Sequence, residues 1–557
     1  TKRPPIMEIF PNDIFILQHQ LAQTHYWLPQ NRDIWQPELG QLFGDIGLSL
    51  EDSEVKKIFG ELVESHERTS DSIAILTKHI GDLTQVANGL ADYQHFVKRL
   101  DEAINSFINL DLVKIPAIIF TGTADELATV FENLNKTGTK LTKYQVFSAS
   151  WQDQMLTLDG TKLSTSVLDI LSKRYDELQS DKDNGRGLEI DGYDTDTFKQ
   201  KRQVNLAEFA YALGALILNE VPSLYKPDDD ASRDARDTIG FYALAIATGT
   251  DNRHLEKAID HIQFVQKHHS EILSEMVSIA KNINAPFDRY LKKPAFNNAR
   301  HPSKTKSFEN GMNSDLKFLS YIAAMWTARD DNNEQQLTLG NLPAYFVEDD
   351  LKNSWSGSGD SKLATYYPND SNTGAPIANY LTPRTKEQLK ITFDSWLEDD
   401  TSTASLTFSS RIKCLATIHA NCSYAPFIQP GNKVDFEHII AKKLMNTHLD
   451  NGKLLYTDKL LCGGSIGNIM LLNYANNREK QTKNLWEDAA DDKSKSQNAS
   501  KEIVQDEEYR KALAYPSESD LAAAQNALRE FNVDKAKAII VDRGHKVMKV
   551  IAETLGK

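Results

Sequence analysis

Two short segments near the C-terminal end constrain the fold most: Val434-Asp-Phe-Glu-His-Ile-Ile440 and Ser465-Ile-Gly-Asn-Ile-Met-Leu-Leu-Asn-Tyr-Ala-Asn-Asn-Arg-Glu-Lys480. The first alternates apolar and acidic side chains as far as His438, which is the period of a half-buried strand. The second opens on a Gly467-Asn468 turn, continues as an apolar strand over Ile469 to Leu472, and becomes helical from Tyr474 to Gln481. Between them, residues 441–449 read as a helix and Asp450-Asn-Gly452 as a hairpin-like turn. Strand, loop, strand, helix is the least framework that holds one small ion between its parts.

The residue types suit phosphodiester cleavage, which needs an activated water and positive charge beside the oxygens that gain negative charge. A histidine with a pKa of about 6.5 takes the water's proton at neutral pH, and this gives His438 the base role. A hard divalent ion such as Mg2+ or Mn2+ prefers oxygen ligands and takes few of them from protein. Glu437, Asp435 and the amide of Asn477 are the candidate metal ligands, with Asn476 competing for the last place. Asn468 is expected to tie the intervening loop by backbone hydrogen bonds and so aim the His438 ring. Lys480, on the same helix face as Asn477, either contacts a phosphate or lies on a solvated face.

The ordered set Asp435-x-Glu437-His438, Asn468, Asn477 and Lys480 resembles the HNH, or His-Me finger, nuclease family. Its Asn-x8-Asn-x2-Lys spacing is similar to that of the HNH domain in RNA-guided DNA nucleases, where Asp stands in place of Glu437. The resemblance implies a ββα-metal nuclease fold from about residue 400, Mg2+ or Mn2+ as cofactor and DNA as substrate. It also implies His438, Asn468, Asn477 and Lys480 as catalytic residues.

Upstream, Val113-Lys-Ile-Pro-Ala-Ile-Ile-Phe120 reads as a buried strand, followed by a helix over 125–133 and a polar turn, Asn135-Lys-Thr-Gly138. This region is similar to the Phe-Glu-x-x-Asn-x-x-Gly-x-x-Leu segment of the ParB/sulfiredoxin-like domain in GmrSD-type, modification-dependent restriction endonucleases. In that family an HNH domain follows at the C-terminus. Trp355-Ser-Gly-Ser-Gly-Asp360 and the helix carrying Trp396 resemble its middle region. The resemblance implies antiphage restriction of modified DNA, with a nucleoside triphosphate held by Asn133, Asn135, Thr137 and Gly138. An ordinary helix-capping turn accounts for those four residues equally well. The family's Asp-Gly-Gln-Gln-Arg motif is not among these 557 residues: either it precedes Thr1, the reading preferred here, or this member lacks the activity attributed to it.

A chain of 557 residues exceeds one hydrophobic core. The expected class is α+β and predominantly helical, with a helical and ParB/sulfiredoxin-like region over 1–150, a helical middle region over 151–400 and the nuclease domain over 401–557. Helices are predicted over 206–218, 241–247, 254–283 and 316–327, and Asn297 to Gly311 reads as a loop. Thr382-Pro383 is predicted to cap a helix ending near Asp399, with the boundary in Glu398-Asp-Asp-Thr-Ser-Thr403, and 486–508 reads as a mobile connection. The net charge of −15 runs against nucleic-acid binding, but Gly431 to Leu485 carries eight Lys or Arg against five Asp or Glu. No apolar run suits a membrane span and no signal peptide follows Thr1, so a cytoplasmic protein is expected. Three cysteines with no Cys-x-x-Cys pair argue against a disulfide framework. The expected partners are DNA, a nucleotide and a second copy of the chain, with no membrane.

Two other functions compete with the nuclease. One is a non-catalytic sensor of DNA modification or nucleotide on a decayed HNH fold. The other is a nucleotide hydrolase that regulates a partner, against which stands the lack of a Walker-type motif.

Overall fold

The computed structural model describes residues 24–64, 72–81, 89–105, 142–180, 193–226, 230–294, 307–357, 359–363, 366, 381–428 and 434–557. The strand expected over 113–120, the helix over 125–133 and the proposed nucleotide residues Asn133, Asn135, Thr137 and Gly138 lie outside them. The chain forms two compact units, residues 1–121 and 122–557.

In the first unit, helices α1 (Thr24–Asp45), α2 (Asp52–Glu64), α3 (Ser72–Ile80) and α4 (Leu90–Asn105) enclose a small core. Residues at three- and four-residue spacing supply it: Val55, Ile58, Phe59 and Leu62 from α2 meet Phe96, Leu100 and Ile104 from α4.

The second unit is mainly helical and built on one continuous core. Its strands β1 (Met155–Thr157) and β2 (Gln203–Asn205) form a short antiparallel pair. Helices α5 (Lys162–Ser180), α6 (Leu206–Asn219), α7 (Asp230–Thr248) and α8 (Ile262–Leu291) follow. Asn205 starts α6 with a capping box to Glu208, and α6 is apolar nearly all round because it is buried nearly all round. It touches α7 through two glycines: a Cβ on Gly214 would sit 2.0 Å from the Arg236 carbonyl oxygen, and one on Gly240 1.9 Å from that of Ala210.

Helices α9 (Asp315–Thr327), α10 (Asn332–Leu351) and α11 (Lys386–Ser402) complete the middle region. The cap of α11 is Thr385, whose hydroxyl accepts from Gln388 in a capping box, and not Thr382. Thr385 is the residue with Gln three places on, so the reciprocal pair outweighs the proline signal. The acidic run proposed as a domain boundary is the last turn of α11. No division between compact units falls at 150 or 400, because α11 packs along the final helix and Arg411 pairs with Asp350 at 2.5 Å across the expected boundary.

The C-terminal region comprises α12 (Ser410–Cys422), β3 (Val434–His438), β4 (Ile469–Asn473), α13 (Tyr474–Lys480), α14 (Leu485–Ala490), α15 (Gln497–Gln505), α16 (Glu507–Leu513), α17 (Glu518–Arg529) and α18 (Asp534–Leu555). The expected helix over 441–449 shrinks to Lys442–Met445, while Gly452 makes the predicted turn with φ of +79°. Residues 486–508 are not a loose connection. Buried Asp488 accepts hydrogen bonds from the hydroxyls of Ser494, Ser496 and Ser500, which fixes the segment between α14 and α15. No helix among the described residues is long and apolar enough to cross a membrane.

Candidate active site

Strands β3 and β4 pair antiparallel, with Val434 opposite Asn473, Glu437 opposite Met470 and His438 opposite Ile469. Ile469 to Leu472 are buried. The apolar run is therefore one strand of a two-stranded sheet, covered on both faces, with the Leu471 amide donating to the Tyr424 hydroxyl at 3.0 Å. Residues alternate across β3. Phe436 and His438 take one face, Asp435 and Glu437 the other.

Asn468 makes backbone hydrogen bonds across the loop. It is fully buried; its Oδ1 accepts from the Ile440 amide at 2.8 Å and its Nδ2 donates to the Gly463 carbonyl at 2.8 Å. Its own carbonyl accepts from the Ile439 amide at 3.0 Å. One side chain thus joins the end of β3 to the loop before β4.

The His438 ring, however, is aimed from elsewhere. Its Nε2 lies 3.0 Å from the Leu406 carbonyl oxygen, and it stacks on Phe408 at 4.0 Å between centroids. A carbonyl only accepts, so Nε2 carries the proton and Nδ1 is left with its lone pair. Burial, with Lys442 and Lys480 nearby, lowers the His438 pKa to about 4 against the raising effect of the Leu406 bond. The imidazole is therefore neutral at physiological pH. Residues 405–408 reach it by running beside Cys462-Gly-Gly464, where Gly464 donates to the Ser405 carbonyl at 2.9 Å. A Cβ on Gly464 would meet the Thr407 carbonyl oxygen at 2.7 Å, so the close approach needs glycine.

On the other face of β3, the Lys480 ammonium contacts Glu437 Oε1 at 2.5 Å and donates to the Lys483 carbonyl at 3.0 Å. Lys480 is only 1 % exposed and Glu437 14 %. This corrects both readings of Lys480: it neither reaches out toward a phosphate nor sits on a solvated face, because the helix turns it inward onto Glu437. Asn477 lies one turn earlier on the same helix face, half-buried and with no side-chain partner among the described residues. Asp435 accepts from the Phe436 amide at 2.9 Å. The structure thus sets Asp435 and Glu437 on one face of β3 with Lys480 brought onto Glu437, and sets His438 at the strand's end on the other.

Three further parts had no signal in the sequence. Leu406 contributes only a backbone oxygen, which any residue carries. Tyr424 caps a strand amide from α12's far end. Arg543 of α18 is 1 % exposed, and its guanidinium donates to the carbonyls of Ile466, Gly467, Ile469 and Leu513 at 2.9–3.2 Å. Burial brings its pKa down to about 10. It holds the Asn468 turn against α18, where a Cβ on Gly467 would lie 1.7 Å from the Ile540 carbonyl oxygen.

The donors that a divalent ion would use here are oxygens: Asp435, the Glu437 oxygen not paired with Lys480, and Asn477. They fit a hard ion in kind. Among the described residues, no group of three or more His, Cys, Asp or Glu is arranged to hold a metal. Comparisons with family models, curated proteins and solved structures each found no match to this chain.

Proposed function

We propose that this chain hydrolyses phosphodiester bonds in DNA, with His438 as general base. The observation that carries the reading is the hydrogen bond from His438 Nε2 to the Leu406 carbonyl, which leaves Nδ1 as the proton acceptor in a neutral ring. Nδ1 takes a proton from a water, the water oxygen bonds to phosphorus, and the ester oxygen leaves with the pair of electrons from its P–O bond. Asn468 and Arg543 act as positioning residues, fixing the loop that follows β3. Asp435, Glu437 and Asn477 would hold Mg2+ or Mn2+, which when bound supplies positive charge to the phosphate oxygens. In the same reading the protein restricts modified phage or host DNA in the cytoplasm under control of a nucleotide, and works as a homodimer.

Plasmid nicking by the purified chain tests this. His438→Ala should lose most cleavage in either Mg2+ or Mn2+, with folding and DNA binding retained. Asn477→Ala should regain part of its activity as the metal concentration rises. Near wild-type nicking by His438→Ala would refute the base assignment.

A second reading has one observation in its favour. The Lys480–Glu437 ion pair already neutralises a proposed metal ligand, as a structural pair would. That suits a decayed nuclease fold that senses modified DNA or nucleotide without cutting, and no nicking by the wild-type chain under any metal would select it.

A further inference from the structure

Phe436 precedes His438 by two positions on the same face of β3, about 6.6 Å along the strand. Two cations converge on its ring, Lys293 Nζ from just beyond α8 at 5.0 Å from the centroid and Lys413 Nζ of α12 at 5.8 Å. Lys293 also lines a groove of about 520 Å³ at the C-terminal end of α8, with Arg289, Lys292, Asn421 and Pro426. Lys293 is paired to Glu309 at 2.6 Å. Among the described residues, Arg289, Lys292 and Lys413 form no ion pair with a carboxylate, and the groove's acidic side chain is Asp288. In a chain of net charge −15, two uncommitted cations in the groove, Arg289 and Lys292, with a third, Lys413, at the Phe436 ring, are a local reversal of sign.

We infer that this groove, continued past Lys293 to Lys413 at the Phe436 ring, is a track for the DNA backbone, in which Arg289, Lys292 and Lys413 bind phosphates flanking the one presented to His438. The inference rests on the proposed function for its ligand. Two features favour a polyphosphate over an acidic peptide: the groove is open, and Lys293 of its lining meets the Phe436 ring on the strand carrying the base. Phosphate contacts of this sort fix register without reading sequence. They place the site's substrate recognition on the helical scaffold, outside the strand and helix that carry the predicted motif.

Binding of a fluorescent 30-base-pair duplex, followed by anisotropy over a range of salt, tests the track without requiring catalysis. Each phosphate contact contributes about 0.9 to the slope of log affinity against log salt. The triple variant Arg289→Gln, Lys292→Gln, Lys413→Gln should therefore bind with a slope shallower by about 2 to 3. Lys292→Arg should keep the wild-type slope, since it keeps the charge. Lys173→Gln removes an exposed cation on α5 and should also leave the slope unchanged. The inference is overturned if the triple variant keeps the wild-type slope, if Lys173→Gln flattens it equally, or if polyglutamate displaces the duplex from the wild-type protein at equal charge concentration. Plasmid nicking separates the two ideas. An unchanged slope with intact nicking rejects the track alone, whereas a flattened slope in a chain that never nicks rejects the nuclease alone.

Discussion

The Lys480–Glu437 pair gives the most direct test of how the site is built. At a separation of 2.5 Å, and with an effective dielectric of about 20, the attraction is roughly 6–7 kcal/mol, most of it offset by taking the two charges out of water. Removing one partner removes the attraction but leaves the other charge buried, which costs about 3–5 kcal/mol. Lys480→Met and Glu437→Leu should each destabilise by that amount. The double variant should lose no more than about either single variant, which is a coupling of about 3 kcal/mol or more. Hydrogen exchange over residues 470–485 is the suitable assay, because it reads the local opening of β4 and α13 without assuming two-state unfolding of a two-unit chain. Lys480→Met should at the same time leave the salt dependence of DNA binding unchanged, since a lysine 1 % exposed releases no counterion from a phosphate. Strictly additive losses, with a coupling below about 0.5 kcal/mol, would refute the buried pair. A slope flattened by about one unit would return Lys480 to the phosphate.

Asn468→Ala strips the acceptor from the Ile440 amide and the donor from the Gly463 carbonyl in a fully buried place. It should cost about 2–4 kcal/mol in urea denaturation and lower nicking through loss of loop order. His419 is buried with its Nε2 unpartnered, and burial holds its pKa down to about 3. Its folded pKa lies below the unfolded value of about 6.5, so its contribution is complete above pH 6.5 and declines as pH falls toward 3. His419→Phe should flatten the loss of stability between about pH 6 and 4, measured by denaturation at each pH; a parallel pH profile in the variant would show that other groups dominate acid unfolding.

The sequence determined the parts whose signal is local. The alternation over Val434 to His438, the apolar run from Ile469 and the helical pattern after Tyr474 became β3, β4 and α13 with ends within a residue or two of those expected. Asn468 followed from the same logic, since an Asn after a turn glycine has backbone groups within reach. Predominantly helical architecture was legible from the three- and four-residue apolar spacing. The sequence could not show what depends on long-range packing. Whether Lys480 faces water or Glu437 depends on how α13 lies over β3, and a lysine has the same composition in both places. The Leu406 carbonyl that sets the His438 tautomer comes from 32 residues away and carries no side-chain signature. Arg543 lies 77 residues beyond Ile466, on a helix whose other charged residues are exposed or half-buried. No division between compact units falls at the acidic stretch 398–403, for the same reason. A polar acidic stretch marks a linker only if nothing pairs with it or covers it, and here the last turn of α11 is held against α18. Periodicity fixes which face of a segment is apolar, whereas tertiary structure decides what meets that face, and the charge and protonation state of a buried group follow from what it meets.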